Sequence, residues 1–279
     1  MFYLLLAILS SVMISFIMRY IESRVQNQMG MFMSNYLVCA ILSCVFMQNV
    51  PWVTLQTMTL KDSLIGILTG VMYLYSFVAM KANMKHNGVM LTTIFMKLGV
   101  LLPTVMAVVV FKESLSGMQL IGFVLAIFAI ILINFEKEEL HAGGKKALLF
   151  VSLFLSGMCD AMSNVFEQMG NPVNKDGFLF ATFAMACLLA LVLSLRSETK
   201  MTKKDALYGI IIGIPNYFSA RFMLLALGQL SAVLVYPTFS VSTIVVIAFV
   251  SFVVFKEKLS IKKLIAIGII AVALCLLNL

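Results

Sequence analysis

Apolar stretches recur along the whole chain, each closed by a short polar break, and their lengths approach the roughly 20 residues a bilayer-spanning helix needs. Breaks marked by charge, Gly, Pro or Asn leave ten such runs, near 2–18, 30–48, 62–80, 88–110, 117–134, 146–168, 177–195, 205–227, 231–254 and 260–278. Backbone groups in hydrocarbon must bond within their own segment, so helices are the expected spans. A membrane barrel would show alternating segments of about ten residues, and the chain has none. The pattern predicts an all-α integral membrane protein with ten transmembrane helices. The first run has no basic segment before it and no small-residue cleavage site after it, so it reads as a span and not as a removable signal.

The runs fall into two sets of five. Phe-Lys-Glu-Ser-Leu-Ser at 111–116 returns as Phe-Lys-Glu-Lys-Leu-Ser at 255–260, 144 residues later. Between 111–134 and 255–278, ten of 24 positions are identical. Residues 1–134 are therefore expected to form one five-helix repeat and 147–279 a second, joined by the polar linker 135–146. Two odd-numbered halves in series enter a membrane in opposite orientations, so the repeat should be inverted.

The loop charges agree with that geometry. Fifteen Lys and Arg residues fall in loops 1, 3, 5, 7 and 9, and three (Lys61, Lys112 and Lys175) in the others. Basic loops stay in the cytoplasm. The odd loops are expected inside a cell inner (plasma) membrane and both termini outside. The remaining two basic residues, Lys97 and Arg221, lie within spans.

Composition sharpens the class. The chain of 279 residues is 62% hydrophobic and 11% charged, whereas a soluble domain has about 25% charged residues. Five cysteines sit singly in apolar runs, with no Cys-x-x-Cys or Cys/His cluster, so neither a disulfide framework nor a zinc site is expected. The net charge of +8 comes from scattered loop residues without a basic stripe, which argues against nucleic acid as a partner. No cofactor or nucleotide-binding loop is legible, nor a His-Glu-x-x-His or Gly-x-Ser-x-Gly motif, and the chain does not read as an enzyme.

These features resemble the drug/metabolite transporter superfamily, in particular its EamA-type ten-helix members. The resemblance rests on the paired motifs Phe111–Leu115, leading to Gly122, and Phe255–Leu259, leading to Gly268. Pro237 matches the proline those proteins favour early in the fourth helix of a half; the first half has Thr93 there, and its own Pro103 comes ten residues later. The likeness implies small-solute transport, often export, through a cavity between the halves, and does not name the solute. Glu113 and Glu257 stand at helix ends, where a carboxylate would cap the next helix.

Ionisable groups inside spans are costly and are functional candidates by default. Lys97 lies in span 4, one turn after Thr93. Asp160 lies in span 6, and Ser156, Asp160, Asn164 and Glu167 share one helical face. Arg221 lies in span 8, one turn after Tyr217, which corresponds to Tyr73 at the 144-residue offset. The alternative for Lys97, Asp160 and Arg221 is a structural ion pair among them. Gly66/Gly70 and Gly209/Gly213 have the spacing that brings helices close and are expected to pack spans 3 and 8 around the centre.

The expectation is a secondary-active transporter, in the direction of export, of a small polar or amphipathic metabolite such as an amino acid. Lys97 and Arg221 would hold a carboxylate, and Asp160 an amine or a proton, so proton coupling is open. The substrate and the lipid bilayer are the expected partners, for a monomer or homodimer. A flippase for a lipid or lipid-linked sugar is the alternative within transport, and a non-transporting membrane subunit lies outside it.

Overall fold

The computed structural model describes residues 1–21, 24–47, 58–134, 145–255 and 261–277. Most of the expected linker (135–144) and residues 256–260, with Glu257, lie outside the described residues. Among those described, the chain is all-α, with ten α-helices. They are α1 (Phe2–Ile21), α2 (Gln28–Val45), α3 (Leu60–Leu98), α4 (Leu101–Val109), α5 (Gly117–Asn134), α6 (Lys146–Met169), α7 (Lys175–Leu195), α8 (Lys203–Leu227), α9 (Ala232–Phe255) and α10 (Ile261–Leu277). Among the described residues, five segments are long and apolar enough to cross a membrane: Gln28–Val45, Leu60–Asn87, Lys146–Met169, Pro172–Leu195 and Lys203–Leu227. Their exposed faces carry large apolar residues such as Leu37, Ile41, Leu188 and Ile211, as lipid-facing helices require.

The loop expected between spans 3 and 4 takes a different form. Residues 81–87 are helical, and helical backbone runs from Leu60 to Leu98. Lys, Ala and Met are good helix formers, and residues 81–87 contain no glycine or proline. The chain nevertheless reverses. Asn83 Nδ2 donates to Leu148 O and Ser152 Oγ, Asn87 Nδ2 to Lys145 O, and Met96 O accepts from Ser156 Oγ. The path runs toward the start of α6 up to Asn87 and back along α6 by Met96. Between α8 and α9 the helical backbone is interrupted, because Gly228 ends α8 and Ser231 precedes α9.

The helices form two compact units that do not follow chain order: Met1–Leu74 with Val165–Gly228, and Tyr75–Asn164 with Gln229–Leu279. In the first unit α2 packs on both α7 and α8, and α1 on α8. In the second, α5 packs on α10 and α4 on α9.

The first unit repeats its own contacts. Thr59 and Asp62 exchange backbone-to-side-chain bonds at the start of α3 (3.1 and 3.3 Å), as Thr202 and Asp205 do at the start of α8 (3.2 and 2.9 Å). Each aspartate also reaches a different loop. Asp62 accepts from Asn171 N–H at 3.2 Å and Asn174 Nδ2 at 3.0 Å. Asp205 accepts from Gln26 N–H at 3.0 Å and Asn27 N–H at 3.4 Å. Asn27 in turn caps α2, accepting from Gly30 N–H, and Asn171 caps the short 3-10 turn Pro172–Asn174 that leads into α7, accepting from Val173 N–H.

The glycine pairs follow the same scheme, and the structure supplies the partner helices. Gly66 and Gly70 lie against Phe178, Ala181 and Thr182 of α7, and Gly209 and Gly213 against Met31, Asn35 and Val38 of α2. They join α3 to α7 and α8 to α2. The backbones come so close at Gly70 and Gly209 that an added Cβ would meet a carbonyl oxygen, Thr182 O or Met31 O.

Candidate functional site

Lys97 occupies the last turn of α3, where a cation meets the negative end of the helix dipole. The helix stops one residue later, at Leu98, for a local reason. Pro103 has no N–H to give to Gly99 O four residues back, and the turn tightens to three-residue bonds from Gly99 to Met96 O (3.1 Å) and from Leu102 to Gly99 O (2.9 Å). The predicted span 88–110 is thus split into the end of α3 and the short α4. Ser156 Oγ, from α6, donates to Met96 O at 3.1 Å. Gly99 and Gly157 meet backbone to backbone, so that a Cβ on Gly157 would strike Gly99 O.

Asp160 follows one turn after Ser156 on α6. Lys97 and Asp160 are both half-buried, on α3 and α6, whose backbones meet at Gly99 and Gly157. Among the described residues they do not form a direct ion pair. Tyr236, buried on α9, donates its hydroxyl to Asp160 O. Asn164 stands one turn further along the same face, 1% exposed, and its Nδ2 has no hydrogen-bond partner among the described residues. Thr238 Oγ1, two residues after Tyr236, is also buried without one. A buried polar group left unsatisfied costs roughly 1–3 kcal/mol. All these groups belong to the second compact unit.

Arg221 and Glu167 are in the first unit and have partners of their own. Arg221 Nη1 lies 3.3 Å from Asp176 Oδ1 and donates to Tyr217 Oη at 2.6 Å. Its Nη2 donates to Phe46 O at 3.2 Å, and the guanidinium lies 4.9 Å from the Phe46 ring centre. The arginine thereby joins α8 to the head of α7 and satisfies a carbonyl at the C-terminal end of α2. Its carboxylate partner is Asp176, not Asp160. Glu167 is paired with Lys175, whose Nζ lies 2.9 and 2.8 Å from its two oxygens. Tyr217 is fully buried against Phe46, while Tyr73 is half-buried, edge-on to Phe183. Thr93 falls in the helical run of α3, and its side chain lies outside the described residues, as does Glu257. Pro237 is buried inside α9 beside Tyr236.

Glu113 reaches another helix than the one that follows it. Lys112 adopts a left-handed backbone (φ 55°), Glu113 N–H bonds back to Ala107 O, and the Glu113 carboxylate accepts from Val233 N–H in the first turn of α9. The next helix, α5, is capped instead by Ser116 and Gln119.

Asp176, Tyr236 and the Gly99–Gly157 contact are absent from the sequence reading. Asp176 sits one residue before the predicted span, where a carboxylate passes for a loop residue. Its partner Arg221 is 45 residues away, and no local spacing links them.

No family model matches the chain. An uncharacterized protein from Haemophilus influenzae is 23% identical over 219 residues, 75% of this chain and 72% of that protein. A solved crystal structure aligns over 99% of this chain and 96% of its own with a TM-score of 0.78 at 13% identity, so the two share a fold.

Proposed function

We propose that this protein is a secondary transporter of a small polar metabolite in a cell inner membrane, built as an inverted repeat of five plus five spans in the manner of the EamA-type transporters. The pair Lys97 and Asp160 carries the reading. Two opposite charges stand on apolar helices, beside a proline-induced break in the backbone and a buried amide donor, Asn164 Nδ2, that lacks a partner among the described residues. Broken helices that place charged and polar groups together at membrane depth are a recurrent way of building a substrate site. A substrate carboxylate would bind Lys97 and Asn164, and an ammonium group or a proton would go to Asp160. Arg221, already held by Asp176, Tyr217 and Phe46 O, is assigned to the scaffold.

The repeated contacts of the first unit support the two-fold design. Thr59, Asp62, Gly66 and Gly70 correspond to Thr202, Asp205, Gly209 and Gly213 at a constant offset of 143 residues. The offset becomes 144 by Tyr73 and Tyr217, so one extra residue enters at Ile214–Asn216, where Pro215 interrupts the ladder of α8. The 15-to-3 division of loop cations supports cytoplasmic odd loops.

The test is flux of labelled amino acids and small carboxylates in proteoliposomes containing the full chain. The reading expects a solute moved by the wild type and not by Lys97→Ala or Asp160→Asn. Unaltered flux in both variants overturns the site.

A further inference from the structure

We propose that a pocket in the first compact unit, between the head of α7 and the last turns of α8, binds a compact zwitterion, its carboxylate on Lys175 and its ammonium on Asp176. The pocket is lined on its polar side by Lys175, Asp176 and Arg221 and on its apolar side by Leu179, Leu224 and Leu225, with Pro172 and Val173 at the rim. Both signs of charge therefore stand at one small apolar cleft. Neither is exhausted by its partner. An ammonium has three donors and a carboxylate about four acceptor sites. Lys175 Nζ serves the two oxygens of Glu167, and Asp176 receives Arg221.

The two opposite charges set the ligand. Lys175 and Asp176 line the same small pocket, so a molecule that meets both needs its carboxylate and its ammonium close together, as on the single α-carbon of an amino acid. A simple anion would leave Asp176 facing it, and a simple cation would face Lys175. Size sets a second limit. The cavity volume is about 50 Å³, room for roughly three to five waters at 10–15 Å³ each, which admits glycine or alanine and not a large side chain. Gly228 is part of the construction, because a Cβ there would lie 2.6 Å from Lys175 Nζ and 2.9 Å from Glu167 Oε1. The proposal is independent of the transport reading, since Lys97 and Asp160 belong to the other unit.

The experiment is saturation-transfer NMR on the full chain in detergent micelles, with L-alanine, acetate and ethylammonium as separate probes. Alanine should take up saturation from the wild type, more strongly than either single-charge probe. Val173→Trp blocks the rim from an exposed position that the fold does not depend on, and should abolish the signal. Lys175→Gln should weaken alanine binding about tenfold, the scale of one charge-assisted bond. A Lys97→Ala/Asp160→Asn double variant should retain the signal. No transfer to alanine in the wild type, an undiminished signal in Val173→Trp, or acetate binding as well as alanine each overturns the proposal. Loss of the signal in the Lys97/Asp160 variant with Val173→Trp intact moves the ligand to the other site and overturns it equally.

Discussion

Asp62 and Asp205 perform the same two tasks at matching places in the chain. Each closes a capping box with the threonine three residues before it, and each holds the loop that leads into a different helix. Both carboxylates are essentially inaccessible, at 1% and 0% exposure. Asp62 ties the loop before α7 to α3, and Asp205 ties the loop before α2 to α8. Replacing either by Ala strands several backbone donors, at a cost of about 1–3 kcal/mol. Thr59→Ala and Thr202→Ala should each cost about 1 kcal/mol. Thermal unfolding in detergent checks both, and near-equal losses at the two aspartates are the expected sign of equivalent roles.

The glycines make a sharper contrast. At Gly70 and Gly209 a methyl group would run into backbone, which does not move aside. Gly70→Ala and Gly209→Ala should each destabilise by about 1–3 kcal/mol. Gly268 has nothing within 4 Å of an added Cβ, and Gly268→Ala should be neutral or stabilise by up to about 1 kcal/mol through helix propensity. Parallel melting curves of the three variants decide the matter.

Arg221→Lys keeps the charge and loses the fork that reaches Asp176, Tyr217 and Phe46 O together. A lysine is a point donor and cannot span those three partners. The variant should lose about 1–3 kcal/mol of stability while the affinity of any transported solute stays unchanged. A solute KM that rises with Arg221→Lys in a protein of undiminished stability would place Arg221 in the binding site instead.

Lys112 stands in a left-handed conformation that a side chain disfavours. Lys112→Gly should stabilise by about 0.5–1 kcal/mol, since the Glu113 carboxylate still has to reach Val233 N–H. Equilibrium unfolding of that variant, alone and combined with Glu113→Ala, measures the turn and the cap separately.

The all-helical character and most helix bounds were legible because apolar length alone specifies them. Runs 146–168 and 205–227 differ from α6 and α8 by one or two residues at their ends. The turn between spans 3 and 4 was legible as a turn but not as helix, because Lys81 and Lys85 mark a loop by charge while Lys and Ala favour helix by propensity. The glycine pairs announced close packing but not its partner, since spacing on one helix says nothing about which helix fills the groove. Lys97, Asp160 and Asn164 stood out as polar groups in apolar runs. The pairing of Arg221 with Asp176 was hidden, because it depends on where α7 and α8 come together, and the only local clue, an aspartate beside a lysine at a span edge, is common in loops.

The central claim is that Lys97 and Asp160 form the substrate site. The most direct measurement is a metabolite profile of cells expressing the wild type, compared with cells expressing a Lys97→Ala/Asp160→Asn double variant that inserts and folds normally. The account predicts a small charged metabolite whose distribution across the membrane shifts with the wild type and not with the variant. A metabolite moved equally by both would contradict it and return the two charges to a structural role.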